Sequence, residues 1–111
     1  MSPTRKLQAV LCSALLAAAL PALAGGGDAE AGHKKSEPCK ACHGENGMSA
    51  TGDFPILAGQ HNDYLVHVLN HYKNGKRKNP IMVGQAANLT PKDIADLAAY
   101  YSSLHGLEVK Y

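Results

Sequence analysis

The sequence predicts an all-α fold of three main helices joined by long loops. Three observations lead there. Two segments in the second half, around 64–72 and 94–104, place apolar residues at helical spacing. No stretch alternates apolar and polar residues as a half-buried strand does. Two glycine- and proline-containing stretches, residues 44–59 and 76–89, show no period, so the helices are joined by long irregular segments. Segments of that length in a compact domain are usually functional or wrapped around something.

The first 24 residues read as a leader. Arg5 and Lys6 precede an almost wholly apolar run over 7–20, and Ala22 and Ala24 form an A-x-A site. The expectation is a secretory signal peptide cut after Ala24, which takes Cys12 with it. The alternative is an uncleaved membrane anchor, but the run is short for a bilayer span and Pro21 and the glycines at 25–27 interrupt it. A lipid-attachment reading of Cys12 fails on the bulky Leu11 before it. The remaining 87 residues carry nine basic and nine acidic side chains, a balance that argues against a nucleic-acid binder. Residues 25–31 are small and polar and read as a flexible lead-in to one domain over 32–111.

A short first helix is expected at about 38–43, where Pro38 suits the first turn, with a looser turn before it. Residues 44–59 follow as loop. In the next helix Tyr64, Leu65, Val68, Leu69 and Tyr72 form one apolar face, and Gly75 is its stop. Residues 76–89 open with a basic run and continue around Pro80 and Gly84 as extended loop. The last helix opens with a capping signal: Thr90 can accept from the backbone, Pro91 fits the first helical position and Asp93 answers three residues on. It buries Ile94, Leu97, Ala98, Tyr101 and Leu104, and Gly106 closes it. With one Phe and no Trp, the core is small for a stable domain, and a large apolar cofactor would supply what is missing.

The chemistry lies in residues 37–47, EPCKACHGENG. Two cysteines three apart with a histidine behind them fit a redox dithiol, half of a zinc site or a haem anchor. A redox dithiol of this spacing needs a βαβ setting, and no strands are expected. A structural zinc site needs two further ligands, and there is no second cysteine pair. His67 and His71, four apart on one helix, are the remaining donors, and their bland reading is a solvated pair. The haem reading uses every feature. C-x-x-C-H is the c-type haem attachment signature. Positions i and i+3 share a helix face, so Cys39 and Cys42 can each bond one of the porphyrin's two vinyl groups, and His43 can turn its imidazole to the iron. The export signal agrees with it.

Opposite His43 the candidates are Met48 and Met82. Met48, five residues on, is too near to cross the porphyrin. Met82 lies 39 residues beyond His43 in an irregular segment between the long helices and is the expected sixth ligand. Ligation by a second histidine and an open position are the alternatives. His61 starts its helix, His67 and His71 project away, and His33 and His105 lie near the ends.

With these residues in place the chain resembles the class I c-type cytochromes, in particular the bacterial periplasmic branch of monohaem and dihaem carriers. The resemblance runs over about 32–104 and rests on CKACHG, FPILAGQ (54–60), YLVHVLNHYKNGKR (64–77), NPIM (79–82) and LTPKDIADLAAYYSSL (89–104). It implies a small cytochrome c fold wrapped around one covalent haem c with its iron. It implies that the Pro55 carbonyl accepts from the ring N–H of His43. It also implies that the first and last helices cross, with Gly32 allowing close approach near Tyr100 or Tyr101. Lys34, Lys35 and Ser36 make that first helix more polar than the pattern. Dihaem members carry two such domains in series, and this chain has one haem motif.

The function expected is a periplasmic one-electron carrier, not an enzyme, serving transient redox partner proteins without nucleic acid and without stable membrane insertion after signal cleavage. Lys40, Lys73, Lys76, Arg77 and Lys78 would steer an acidic partner, or else form a solvated helix end where cations suit the dipole. The alternatives are a haem subunit of a larger dehydrogenase and a gas- or peroxide-binding protein with a labile sixth ligand.

Overall fold

The computed structural model describes residues 26–106. The leader reading of residues 1–24, with Cys12, lies outside them, as does the end of the expected domain, 107–111. The described residues contain α1 (Ala29–Lys35), α2 (Glu37–His43), α3 (Asn62–Lys73), α4 (Pro80–Ala86) and α5 (Pro91–Ser103), and no strand. None of these helices is long and apolar enough to cross a membrane.

Helix α5 is the centre of the fold, and its start follows from its sequence. The Thr90 hydroxyl accepts from the Asp93 N–H and the Asp93 carboxylate accepts from the Thr90 N–H, so two end donors are satisfied reciprocally. Its apolar residues then face two ways. Leu97, Ala98 and Tyr101 cluster with Leu65 of α3, and Leu57, Leu69, Leu89 and Leu104 pack around them. Ile94 and Leu97 are almost fully buried, each stabilising the fold by roughly 1.5–3 kcal/mol.

On the other side α5 meets α1. The sequence expectation of a flexible lead-in over 25–31 is corrected at its end, where Ala29–Ala31 form the first turn of α1. The cause is Asp28, whose carboxylate accepts from the Glu30 and Ala31 N–H groups. Gly32 then sits so close to α5 that a Cβ there would fall on the Asp96 carbonyl and lie 2.7 Å from the Tyr100 Cβ. The implied helix crossing is thus present, with Tyr100 as the neighbour. The polar residues of α1 suit it. Lys35 reaches Asp96 at 2.6 Å and Asp93 at 2.8 Å. Asp96, fully buried, also accepts from Lys92 and from the Asp28 N–H at 2.9 Å. A buried carboxylate needs this many donors to offset its desolvation.

Residues 44–59 form the expected loop, pinned by a few bonds. The Gly47 carbonyl accepts from Leu57 and Ala58, and the Gly59 N–H donates to the Tyr101 carbonyl. The second expected loop, 76–89, is corrected: its middle is α4. Asn79 caps that helix by accepting from Ile81 and Met82, and Pro80 occupies its first turn, the same device as Thr90–Pro91. Met82 therefore stands on a helix and not in an extended segment.

Candidate functional site

Helix α2 carries three donor groups in seven residues. Pro38 in its first turn lacks only an N–H that has no intrahelical partner there. Cys39 and Cys42 are free thiols, both partly buried, one turn apart. Burial pushes the Cys39 thiol up, so it stays protonated. The helix ends at Gly44, whose positive φ of 84° turns the chain away while its N–H donates to the Lys40 carbonyl at 2.9 Å.

His43, the last residue of α2, is 5% exposed. Its Nδ1 lies 2.8 Å from the Pro55 carbonyl. A carbonyl only accepts, so Nδ1 carries the proton, and in the neutral ring Nε2 holds the lone pair. Phe54 stands edge-on to the ring with centroids 6.4 Å apart.

These groups border one cavity of about 320 Å³, walled mainly by apolar side chains from α3, α4, α5 and the 44–59 loop. Cys39, Cys42 and His43 line it from α2, Met82 lines it from α4, and Leu65, Leu69 and Leu97 are among the apolar groups between them. Of the six histidines only His43 lines it. Met48 does not, and its side chain is exposed. His33 instead packs on Tyr100, with ring centroids 5.0 Å apart.

Two features of the wall were not visible in the sequence. The Tyr101 hydroxyl is buried beside Cys39 and Ser36 but makes no well-directed hydrogen bond among the described residues, and burial holds it protonated. Arg77 also lines the cavity, with its guanidinium 5.3 Å from the centre of the Tyr72 ring. Arg77 is nevertheless exposed and stays with the basic cluster expected to steer a partner. Lys40 leaves that cluster, paired with Glu37 at 2.8 Å and Glu45 at 3.1 Å and only 15% exposed. Lys73 donates to the Ala87 carbonyl at 3.1 Å. Lys73, Lys76, Arg77 and Lys78 are all exposed.

The donor set fits an iron porphyrin. Two thiols on one helix face, an imidazole with its lone pair fixed and a thioether border a single apolar cavity that the chain's own side chains leave open. A buried hydroxyl in the wall without a well-directed hydrogen bond fits a cavity whose core is completed by a bound group.

Comparison with known proteins points the same way. The cytochrome c family model matches residues 29–105. Cytochrome c4 of Pseudomonas aeruginosa is 45% identical over 95 residues, covering 85% of this chain and 47% of that protein. Cytochrome c-554(548) of Halomonas halodenitrificans is 44% identical over 80 residues, 69% of this chain and 96% of its own length. The crystal structure of reduced recombinant cytochrome c4 from Pseudomonas stutzeri matches with a TM-score of 0.69 at 42% identity, covering 73% of this chain and 47% of that one. The chain thus spans about half the length of the cytochrome c4 proteins it matches. With the family model matching residues 29–105 and a C-x-x-C-H motif bordering a cavity walled by α2, α3, α4 and α5, it belongs to the cytochrome c family.

Proposed function

We propose that this chain is a periplasmic one-electron carrier holding one haem c. In this reading residues 1–24 are a cleaved signal peptide and the domain that follows binds the haem. Cys39 and Cys42 would attach it through thioethers, and His43 and Met82 would ligate its iron. The observation that carries the reading is the shared cavity: one imidazole, two thiols and one thioether border it, and the imidazole's other nitrogen is committed to Pro55.

When bound, the iron porphyrin supplies a one-electron couple in which no bond to a substrate is made. The residues of the chain tune and protect that couple. The bond to the Pro55 carbonyl fixes the His43 ring and raises the basicity of its free nitrogen. The soft thioether of Met82 favours the more reduced state. Leu65, Leu69 and Leu97 keep water from the cavity, which disfavours added positive charge there. Arg77, in the same wall, works in the same direction.

The test is the visible spectrum of the exported protein. The ferric form is expected to show the weak red-end band of iron–sulfur ligation, and Met82→Ala to abolish it while acidified acetone still fails to extract the pigment. A variant that keeps the band removes Met82 from the assignment. Ready binding of carbon monoxide by the ferrous wild type at neutral pH would instead mark a labile sixth position.

A second reading is favoured by one observation, the half-length match to cytochrome c4: the domain serves as one haem unit of a larger electron-transfer assembly. Stoichiometric co-purification with a second redox protein from the native cell separates it from a free carrier.

A further inference from the structure

The apolar stripe of α3 faces the cavity and α5. Its opposite side forms a shallow groove lined by Asp63, His67, Asn70, His71 and Lys76. His67 and His71 stand there one turn apart, with ring centroids separated by 3.8 Å and ring planes tilted by 52°. Neither lines the haem cavity. His67 is exposed and His71 half-buried, so both rings can be reached from solvent.

Two imidazoles at i and i+4 on one helix face are a preformed bidentate donor pair. Rings this close bring one nitrogen each within reach of a shared ion, at roughly 2.0–2.1 Å per bond, by side-chain rotation alone. The helix holds the two Cα atoms, so little backbone order remains to be created on binding. We propose that His67 and His71 form a surface site for a divalent transition-metal ion, with copper(II) held most tightly and zinc(II) more weakly.

The preference follows from the donor count. No third His, Cys, Asp or Glu converges on the pair among the described residues. Water therefore completes the shell, and without an imposed geometry selection falls to the intrinsic affinity order, in which copper(II) leads. Nearby charges act in both directions. Lys76 in the groove and Arg77 beyond it oppose any cation, while Asp63, one turn before His67, attracts one. Partial desolvation, ahead of repulsion from His67, Lys76 and Arg77, disfavours the protonated form of His71 and leaves the neutral ring that ligation requires.

The test is titration of the haem-loaded protein, without a polyhistidine tag, with copper sulfate in a non-coordinating buffer at neutral pH. Calorimetry is expected to give one ion per chain with micromolar affinity, and electron paramagnetic resonance to show nitrogen ligation by two imidazoles. His67→Ala and His71→Ala are each expected to weaken binding about tenfold or more, since each removes one of two protein ligands. His105→Ala is expected to leave it unchanged. The haem spectrum should stay constant through the titration and in all three variants, because the pair lies outside the cavity. Undiminished binding in a His67→Ala/His71→Ala double variant would overturn the site, and so would affinity no better than millimolar.

Discussion

The two faces of α5 are both buried, but by different means. Toward α1, the chain closes the interface itself: Gly32 admits backbone contact, His33 covers Tyr100, and Asp96 is saturated with donors from Lys35, Lys92 and Asp28. Toward α2 and α4, Leu97, Ala98 and Tyr101 line an open cavity, and the Tyr101 hydroxyl makes no well-directed hydrogen bond among the described residues. One face is a finished joint. The other is half of a core whose remaining half is the cofactor, which is how so few large side chains suffice for a domain of this size.

The comparison is broken most directly by withholding the cofactor. On the proposed assignment, Cys39→Ala with Cys42→Ala removes both attachment points, and the resulting protein is expected to lose most of its helical circular dichroism and its cooperative melt. Native helicity in that variant would mean that the cavity face closes without haem. The α1 face is probed by Gly32→Ala. The added methyl meets backbone at Asp96, which cannot swing aside, so a loss of about 3 kcal/mol in denaturant unfolding is expected. A shift below about 0.5 kcal/mol, within the range of ordinary surface substitutions, would show that the joint is loose.

Acid tests the same face more gently. Lys35, then the Thr90 backbone and hydroxyl, hold Asp93 down from its ordinary 3.8 to about 2. Lys35, the Asp28 N–H and Lys92 push Asp96 well below its own ordinary value. Both carboxyls bind protons less readily in the folded state. The contribution of Asp93 is therefore complete above 3.8 and is lost as pH falls toward about 2, while that of Asp96 persists to lower pH. Unfolding midpoints measured at neutral pH and near pH 3 should drop for wild type, and drop less for Asp96→Asn, which starts lower. The smallest effects come from the caps. Thr90→Ala and Asn79→Ala should each cost about 1 kcal/mol of helix stability. The first should lower the global midpoint. The second should act locally, weakening the red-end band on warming before the protein unfolds. Equal global effects would erase the distinction between the two faces.

Much of the site was legible because it is local. The apolar spacing of α3 and α5, the Thr90 box and C-x-x-C-H each lie within one window of sequence. What lay hidden depends on distant partners or on short elements. Nothing near Lys35 indicates an aspartate 61 residues away, and nothing in the haem motif says which carbonyl meets His43, so only resemblance pointed to Pro55. Helix α4 has just seven residues, one of them Gly84, too few for an apolar period. Its signal was nevertheless present in Asn79–Pro80, which repeats the cap-and-proline pattern read correctly at Thr90–Pro91. Asp28 was missed for the same reason.

The crossing of α1 on α5 also sets an order of events. It joins segments at opposite ends of the described chain, so a polypeptide emerging amino end first has nothing for α1 to dock on until its final helix arrives. Throughout that interval Cys39 and Cys42 are already clear of the exit and not yet enclosed. On the proposed reading, the topology leaves these thiols open to haem attachment until the last helix is delivered.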